Sequence, residues 1–322
     1  MTGVLGPLPA SDPPFMRRVR AHQAWYRVAV LGVDRHGSLA VSGAPCGSVL
    51  PDDAAARNLN FLGGDSVERY QRRRRMGWGV DPVRCTKYLT SSQTLSFNML
   101  AQAVGRPEEC AALFNHLLGR QDLEILESSV FEFAAQGTRY SLGDKTLLDL
   151  LLRFRTSAGS CQFVGVETKL ADRFSARRTS AMGGSSYRRL AAERGLWLDL
   201  GDALAGSHTR QMTRCHALTE SVQAHEDPSH HAVLLVLTHP YDRSGLAHAS
   251  DYTRCVALQD AVVHRSWDDY LSLAEAAGSL DAVQAGELAR RYVDLEWSEA
   301  AWRELTQSSG AAAEGDEPNG AE

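Results

Sequence analysis

Residues 145–170 hold the densest set of groups able to do chemistry in this 322-residue chain. Thr146 to Arg155 and Cys161 to Leu170 read as two strands. They are joined by Thr156-Ser157-Ala158-Gly159-Ser160, residue types that turns favour. An antiparallel register centred on Ala158 sets Asp149 opposite Glu167. Because side chains alternate faces along a strand, Glu167 and Lys169 share one face and Asp149 joins them from the neighbouring strand. Directly opposed residues have Cβ atoms about 4.5–5.5 Å apart. Two carboxylates at that spacing beside an ammonium make a poor structural cluster. They make a good site for a hard divalent cation such as Mg²⁺, which takes one or two carboxylates and completes its shell with water or phosphate oxygens. A solvated Glu-x-Lys pair on an exposed strand would use the same residues, so spacing alone leaves both readings open. Lysine usage favours the site. Of 34 Lys plus Arg, only Lys87, Lys145 and Lys169 are lysines, and a compact ammonium is not interchangeable with a guanidinium.

The arms that must position these groups are apolar. Leu147, Leu148, Leu150, Leu151, Leu152, Phe154, Phe163, Val164 and Val166 would bury much of the hairpin, and charges at the end of a buried strand need a partner or a task. Around the hairpin, the pattern predicts helices over Arg17–Val30, over Val67–Met76 behind an Asp65-Ser66 cap, over Thr94–Val104 behind Ser91-Ser92-Gln93, and from Pro107 to about Leu118. It predicts a strand at Ser129–Phe133 and a fully buried strand at Ala232–Thr238. Further helices are expected over Ser207–Glu220 and within 267–293. Gln93 and Asn98 read as groups that satisfy buried backbone.

Composition excludes several classes. Hydrophobic content of 43% with 23% charged residues supplies an ordinary globular core. No apolar run approaches the ~18 residues of a membrane-spanning helix, and no basic segment followed by an apolar stretch suggests a secretory signal. The six cysteines are scattered without Cys-x-x-Cys spacing, against a zinc ribbon or an iron–sulfur cluster and in keeping with free thiols in a reducing cytosol. A cytoplasmic location is the expectation. The histidines at 225, 230, 231 and 239 match no zinc motif. Net charge is −5, yet cations concentrate at Arg69, Arg72, Arg73, Arg74, Arg75, Arg84 and Lys87, while Asp294 to Glu322 is acidic. A local phosphate-binding face fits that asymmetry, as does a solubilising tail.

The ordered set Ser91-Ser92-Gln93 with Phe97-Asn98, Leu148-Asp149, Gly165-Val166-Glu167-Thr168-Lys169 and Gln211-x-x-Arg214 resembles the PD-(D/E)XK nuclease superfamily over roughly residues 60–240. Within it, the chain is similar to a bacterial family of restriction-type endonucleases. One departure is Leu170, where that pattern places an aromatic residue. The resemblance implies an α/β fold, a restriction-endonuclease-like core with a mixed central β-sheet flanked by helices, plus N-terminal and C-terminal helical additions. The expected division is an N-terminal extension at 1–90, the core at 91–265, a helical segment at 266–306 and a disordered acidic tail at 307–322.

The resemblance further implies a metal-dependent nuclease acting on nucleic acid, with DNA the expected substrate. Asp149, Glu167 and the carbonyl of Thr168 would hold Mg²⁺, for which Mn²⁺ can substitute. Lys169 would act at the phosphate or the attacking water, and Gln211 would reach the site from the following helix. Glu108, Glu109, Glu124, Glu127 and Glu132 are candidates for one more carboxylate, with Glu132 ranked first. Arg72, Arg73, Arg74, Arg75, Arg173, Arg177, Arg178 and Arg214 are the expected nucleic-acid contacts. Cutting two strands commonly takes two active sites, so a homodimer is an arrangement the resemblance allows. Two other classes stay open: a binding or interaction protein on an idle nuclease-like scaffold, and a zinc metallohydrolase using the histidines.

Overall fold

The turn-flanked hairpin sits at the centre of a five-stranded mixed sheet. The structure, a computed structural model, describes residues 2–178 and 184–313. The strands are β1 Leu123–Ala134, β2 Leu147–Thr156, β3 Cys161–Thr168, β4 Val233–Thr238 and β5 Val262–Ser266, in the order β1-β2-β3-β4-β5. The first three are antiparallel neighbours, whereas β4 and β5 run parallel to β3. The main helices are α1 Pro14–Ala29, α2 Gly63–Arg75, α3 Ser92–Leu100, α4 Pro107–Leu118, α5 Arg210–Glu226, α6 Arg243–Thr253, α7 Trp267–Ala276, α8 Ala282–Tyr292 and α9 Glu299–Ala313. This is the α/β, restriction-endonuclease-like architecture expected from the sequence.

Register follows from burial. Leu150 pairs with Val166 and Arg155 with Cys161, the register centred on Ala158. Leu150, Leu152, Phe154, Val164, Val166 and Leu235 face a first core built with α3, α4 and α7. Leu151, Phe163, Leu234 and Val236 face a second core against α5 and α6. A one-residue slip of β2 would drive Asp149 and Arg153 into the first core. Each fully buried leucine or valine is worth roughly 1.5–3 kcal/mol relative to exposure, so the slip is strongly disfavoured.

Helix α5 supplies the crossover between β3 and β4, and Gly165 lets it lie close. A Cβ at that position would meet Thr219 Oγ1 at 2.2 Å. The outer segments share the first core: Val19, Phe61 and Tyr70 pack in it together with Trp267, Tyr270 and Tyr292. Asp65-Ser66 does not cap α2, which begins at Gly63; Ser66 Oγ instead donates to the carbonyls of Leu62 and Phe97. Strand β5 and helix α6 were not expected from the pattern. Helix α9 runs across position 307, and the rest of the expected acidic tail, 314–322, lies outside the described residues.

Two buried histidines make the fold acid-sensitive. His216, on α5, bonds Tyr252 Oη at 2.9 Å, and burial pushes its pKa down to about 3. His22 is likewise pushed down to about 3 by burial, against carbonyl bonds from Arg290 and Arg291 that pull the other way. Below pH ~6.5 the unfolded chain binds protons that the folded chain refuses, so stability is complete above that pH and declines as pH falls towards 3. Thermal melts of the parent and of His216→Asn from pH 7 to 4 should differ by this contribution, the variant's slope lacking about one proton of acid-driven loss. An unchanged slope in the variant would show that His216 is not held neutral.

Candidate active site

Three acidic residues fall in line across the three antiparallel strands. Phe131 pairs with Leu150 and Phe133 with Leu148, which brackets Glu132 against Asp149. Asp149 lies one step beyond the last β2–β3 ladder pair, opposite Glu167. The alternation of faces breaks here. Phe131 and Leu150 belong to the first core, whereas Leu148 lies in the second and Phe133 packs against it. Residues two apart on a strand ordinarily share a face. In β1 the break falls at Glu132, whose φ of 49° is left-handed, a conformation that costs a non-glycine residue and persists only where its surroundings enforce it. Arg73 does the enforcing. Its buried guanidinium donates from Nε to the carbonyls of Phe131 (3.0 Å) and Glu132 (3.1 Å), and from Nη2 to Glu132 (2.8 Å) and Trp78 (2.9 Å).

Each carboxylate has its own holder. Glu132, 2% exposed, accepts Gln93 Nε2 on Oε2 at 2.9 Å, and Gln93 also spans to the Gly79 carbonyl and the Asp81 amide. Asp149 is half-buried, and its Oδ2 accepts the Thr168 amide at 2.7 Å and the Thr168 hydroxyl at 2.8 Å. Glu167, 1% exposed, receives Lys169 Nζ on Oε1 at 2.7 Å, Gln211 Nε2 on the same oxygen, and the Cys215 thiol on Oε2 at 3.4 Å. Lys169 is buried just past the end of β3. Its amide donates to the Leu237 carbonyl, and its own carbonyl accepts Trp267 Nε1 at 3.0 Å. Leu170, where an aromatic residue was expected, is buried in the first core beside that indole.

The crowding shows in the proton affinities. Burial, followed by the charge of Glu167, pushes Asp149 up to about 7; Lys169 and the Thr168 bonds oppose this without cancelling it. Burial and then the Asp149 charge hold Glu132 well above the carboxylate range, against the Gln93 bond and Arg73. Burial alone would lower Lys169, but Glu167 and Asp149 override it and keep the amine protonated. Opposed shifts of this kind, set by burial and like charge, are characteristic of functional sites.

The residues predicted from sequence sort as follows. Asp149, Glu167, Thr168, Lys169, Gln211 and Glu132 come together at one end of the sheet. Glu124 and Glu127 instead face Arg155 (3.6 Å) and Arg153 (3.0 Å) along the outer strand. Arg73 requires correction as a nucleic-acid contact: it is buried and binds carbonyls, leaving Arg72, Arg74 and Arg75 exposed around it. Arg173, Arg177 and Arg178 are exposed, and Arg214 is buried with its Nη1 on the Arg177 carbonyl. In the basic stretch that follows Lys169, residues 179–183 lie outside the described residues.

Two residues were missed as parts of the site. Gln93, read as structural only, does bind backbone but also holds Glu132. Cys215 is one helical turn from Gln211, so the i, i+4 spacing on α5 was the available signal.

The oxygen-rich donor set suits a hard cation. Among the described residues no three His, Cys, Asp or Glu side chains converge closely enough to hold an ion alone, so an ion here would draw on two carboxylates, backbone and water. Glu132 Oε1, buried without a hydrogen-bond partner among the described residues, is the orphaned acceptor that such water would satisfy.

A family profile described as the PD-(D/E)XK nuclease superfamily matches residues 10–294. No curated protein and no solved structure matches the chain.

The charge balance has a stability signature. A folded pKa near 7 lies above the unfolded value, so in chelator Asp149 withdraws stability as pH rises from about 4 to 7, a contribution opposite in sign to that of the buried histidines. Asp149→Asn removes that charge. Its melting temperature should exceed that of the parent by a few degrees at pH 8 and match it near pH 4. A variant equally destabilised at both pH values would show that Asp149 carries no repulsive load.

Proposed function

The chain belongs to the PD-(D/E)XK nuclease superfamily, and we propose that it is a metal-dependent nuclease hydrolysing phosphodiester bonds, with DNA as substrate and a restriction-type or defence role. The observation that carries this reading is the joining of Asp149, Glu167 and Lys169 at one sheet end, with the ammonium 2.7 Å from Glu167. Asp149, Glu167 and the Thr168 carbonyl would hold Mg²⁺ or Mn²⁺. Such an ion, when bound, lowers the pKa of a water and neutralises charge on the scissile phosphate.

The chain's own residues do the positioning. Gln211 and Cys215 orient Glu167, and the Thr168 hydroxyl and amide orient Asp149. Glu132, presented by Gln93 and Arg73, offers Oε1 to the water that attacks. Lys169 keeps its proton, and its ammonium serves the non-bridging oxygen on which charge grows, a fixed charge in a dry site. The exposed Arg72, Arg74 and Arg75 surround Arg73, which reaches the Glu132 carbonyl, so they flank the site where a nucleic-acid backbone would run.

A second reading has its own observation. Both oxygens of Glu167 are engaged by Lys169, Gln211 and Cys215, as they would be in an idle scaffold that only binds nucleic acid or a partner. Cleavage separates the two. With supercoiled, linear and single-stranded DNA and Mg²⁺ or Mn²⁺, the parent should cut in a chelator-sensitive way. Asp149→Ala, Glu167→Gln and Lys169→Ala should each lose at least about a hundred-fold, the scale on which transition-state contacts act. Glu132→Gln should lose less. No cutting together with no metal binding would leave the scaffold reading.

A further inference from the structure

A cavity of about 170 Å³ opens beside the acidic line. Gln211 and Cys215, the two α5 residues that touch Glu167, form part of its wall, so cavity and carboxylates share a boundary. Thr146, Leu147 and Ser175 line it as well, and its charged groups are all cationic. Lys145 lies just ahead of β2, Arg177 in the loop after β3, and Arg214 on α5, and no carboxylate lines the space.

Arg214 is 7% exposed, and its Nε is buried with no hydrogen-bond partner among the described residues. Its Nη1 reaches only a carbonyl, that of Arg177. A desolvated guanidinium N–H without an acceptor is costly, and a phosphate oxygen is the acceptor this group suits best. Lys145 and Arg177 are exposed, and neither forms an ion pair among the described residues. The volume corresponds to about five or six waters at ~30 Å³ each, room for one phosphate group with water around it.

We propose that this cavity is a subsite for one phosphate of the substrate strand, a neighbour of the phosphate that is cut. The inference rests on the nuclease reading for its ligand. A strand-end phosphomonoester and an internal backbone diester share the chemistry it recognises. The cavity therefore fixes where the strand lies relative to Glu167, through the wall that Gln211 and Cys215 provide.

Binding by the full-length protein tests it, followed by fluorescence anisotropy in Ca²⁺. The probes are DNA oligonucleotides with 5′-phosphate, 3′-phosphate or hydroxyl ends, and a series carrying one neutral methylphosphonate at each position in turn. Removing or neutralising one particular phosphate should weaken binding of the parent by at least about ten-fold, the worth of a charge-assisted bond. The same change should weaken binding of Lys145→Ala or Arg214→Gln by less than about two-fold, with Lys145→Arg behaving like the parent.

Lys145 is exposed, so its replacement leaves the fold in place should Arg214→Gln disturb α5. A sensitive terminal phosphate identifies strand-end recognition, and a sensitive internal one identifies grip on the running backbone. The proposal is overturned if no position stands out, if the variants retain the parent's pattern, or if no oligonucleotide binds. Cleavage assayed in parallel with Mg²⁺ keeps the two readings apart. Cutting without a sensitive position sinks the subsite alone, and a sensitive position without cutting sinks the nuclease alone.

Discussion

Three carboxylates are held at one end of the central sheet against one ammonium, and most of the surrounding structure exists to tolerate that crowding. Glu132 and Glu167 are buried, Asp149 is half-buried between them, and among the described residues Lys169 alone forms an ion pair with Glu167. Isolated charges in such a place cost several kcal/mol each unless neutralised or paired. The site answers in two ways. Asp149 and Glu132 take up protons more readily than ordinary carboxylates, and Glu167 is paired. An arrangement that stays under electrostatic load in its own ground state is one that a divalent cation would relieve.

The scaffold converts this load into geometry. Two glutamines from different helices do matched jobs. Gln93, at the start of α3, fixes Glu132 to the Gly79–Asp81 loop, and Gln211, at the start of α5, fixes Glu167 to the loop at Ser175. Arg73 turns the backbone at Glu132, and Gly165 lets α5 approach closely enough for Gln211 and Cys215 to reach Glu167. Trp267 ties the Lys169 carbonyl to α7. Helices on both faces of the sheet are thus bound into a single site.

Much of this was legible in the sequence, for identifiable reasons. The turn residues around Ala158 and the buried leucines of β2 fix the hairpin register, and with it the opposition of Asp149 and Glu167. Glu132 stands between two phenylalanines in the sequence, and the structure places it in line with Asp149 and Glu167. Its left-handed backbone was not legible, because no glycine marks the position and the cause lies in Arg73, some sixty residues earlier. The inward turn of Arg73 was hidden in a run of four identical residues. The 4-and-3 spacing of Ser66, Tyr70 and Arg73, all buried on one helix face, was the available clue. Strand β5 was missed because Val262–Ser266 is short and only half apolar, and its identity comes from pairing with β4.

The central proposal is that Asp149 and Glu167 share a divalent cation, which would compete with Lys169 for Glu167 Oε1. Anomalous diffraction from crystals soaked in Mn²⁺ tests it most directly. The account predicts a manganese peak shared by Asp149 and Glu167, with Lys169 Nζ displaced from Glu167 Oε1. A saturating soak that leaves the Lys169–Glu167 pair intact and shows no peak between the two carboxylates would contradict it.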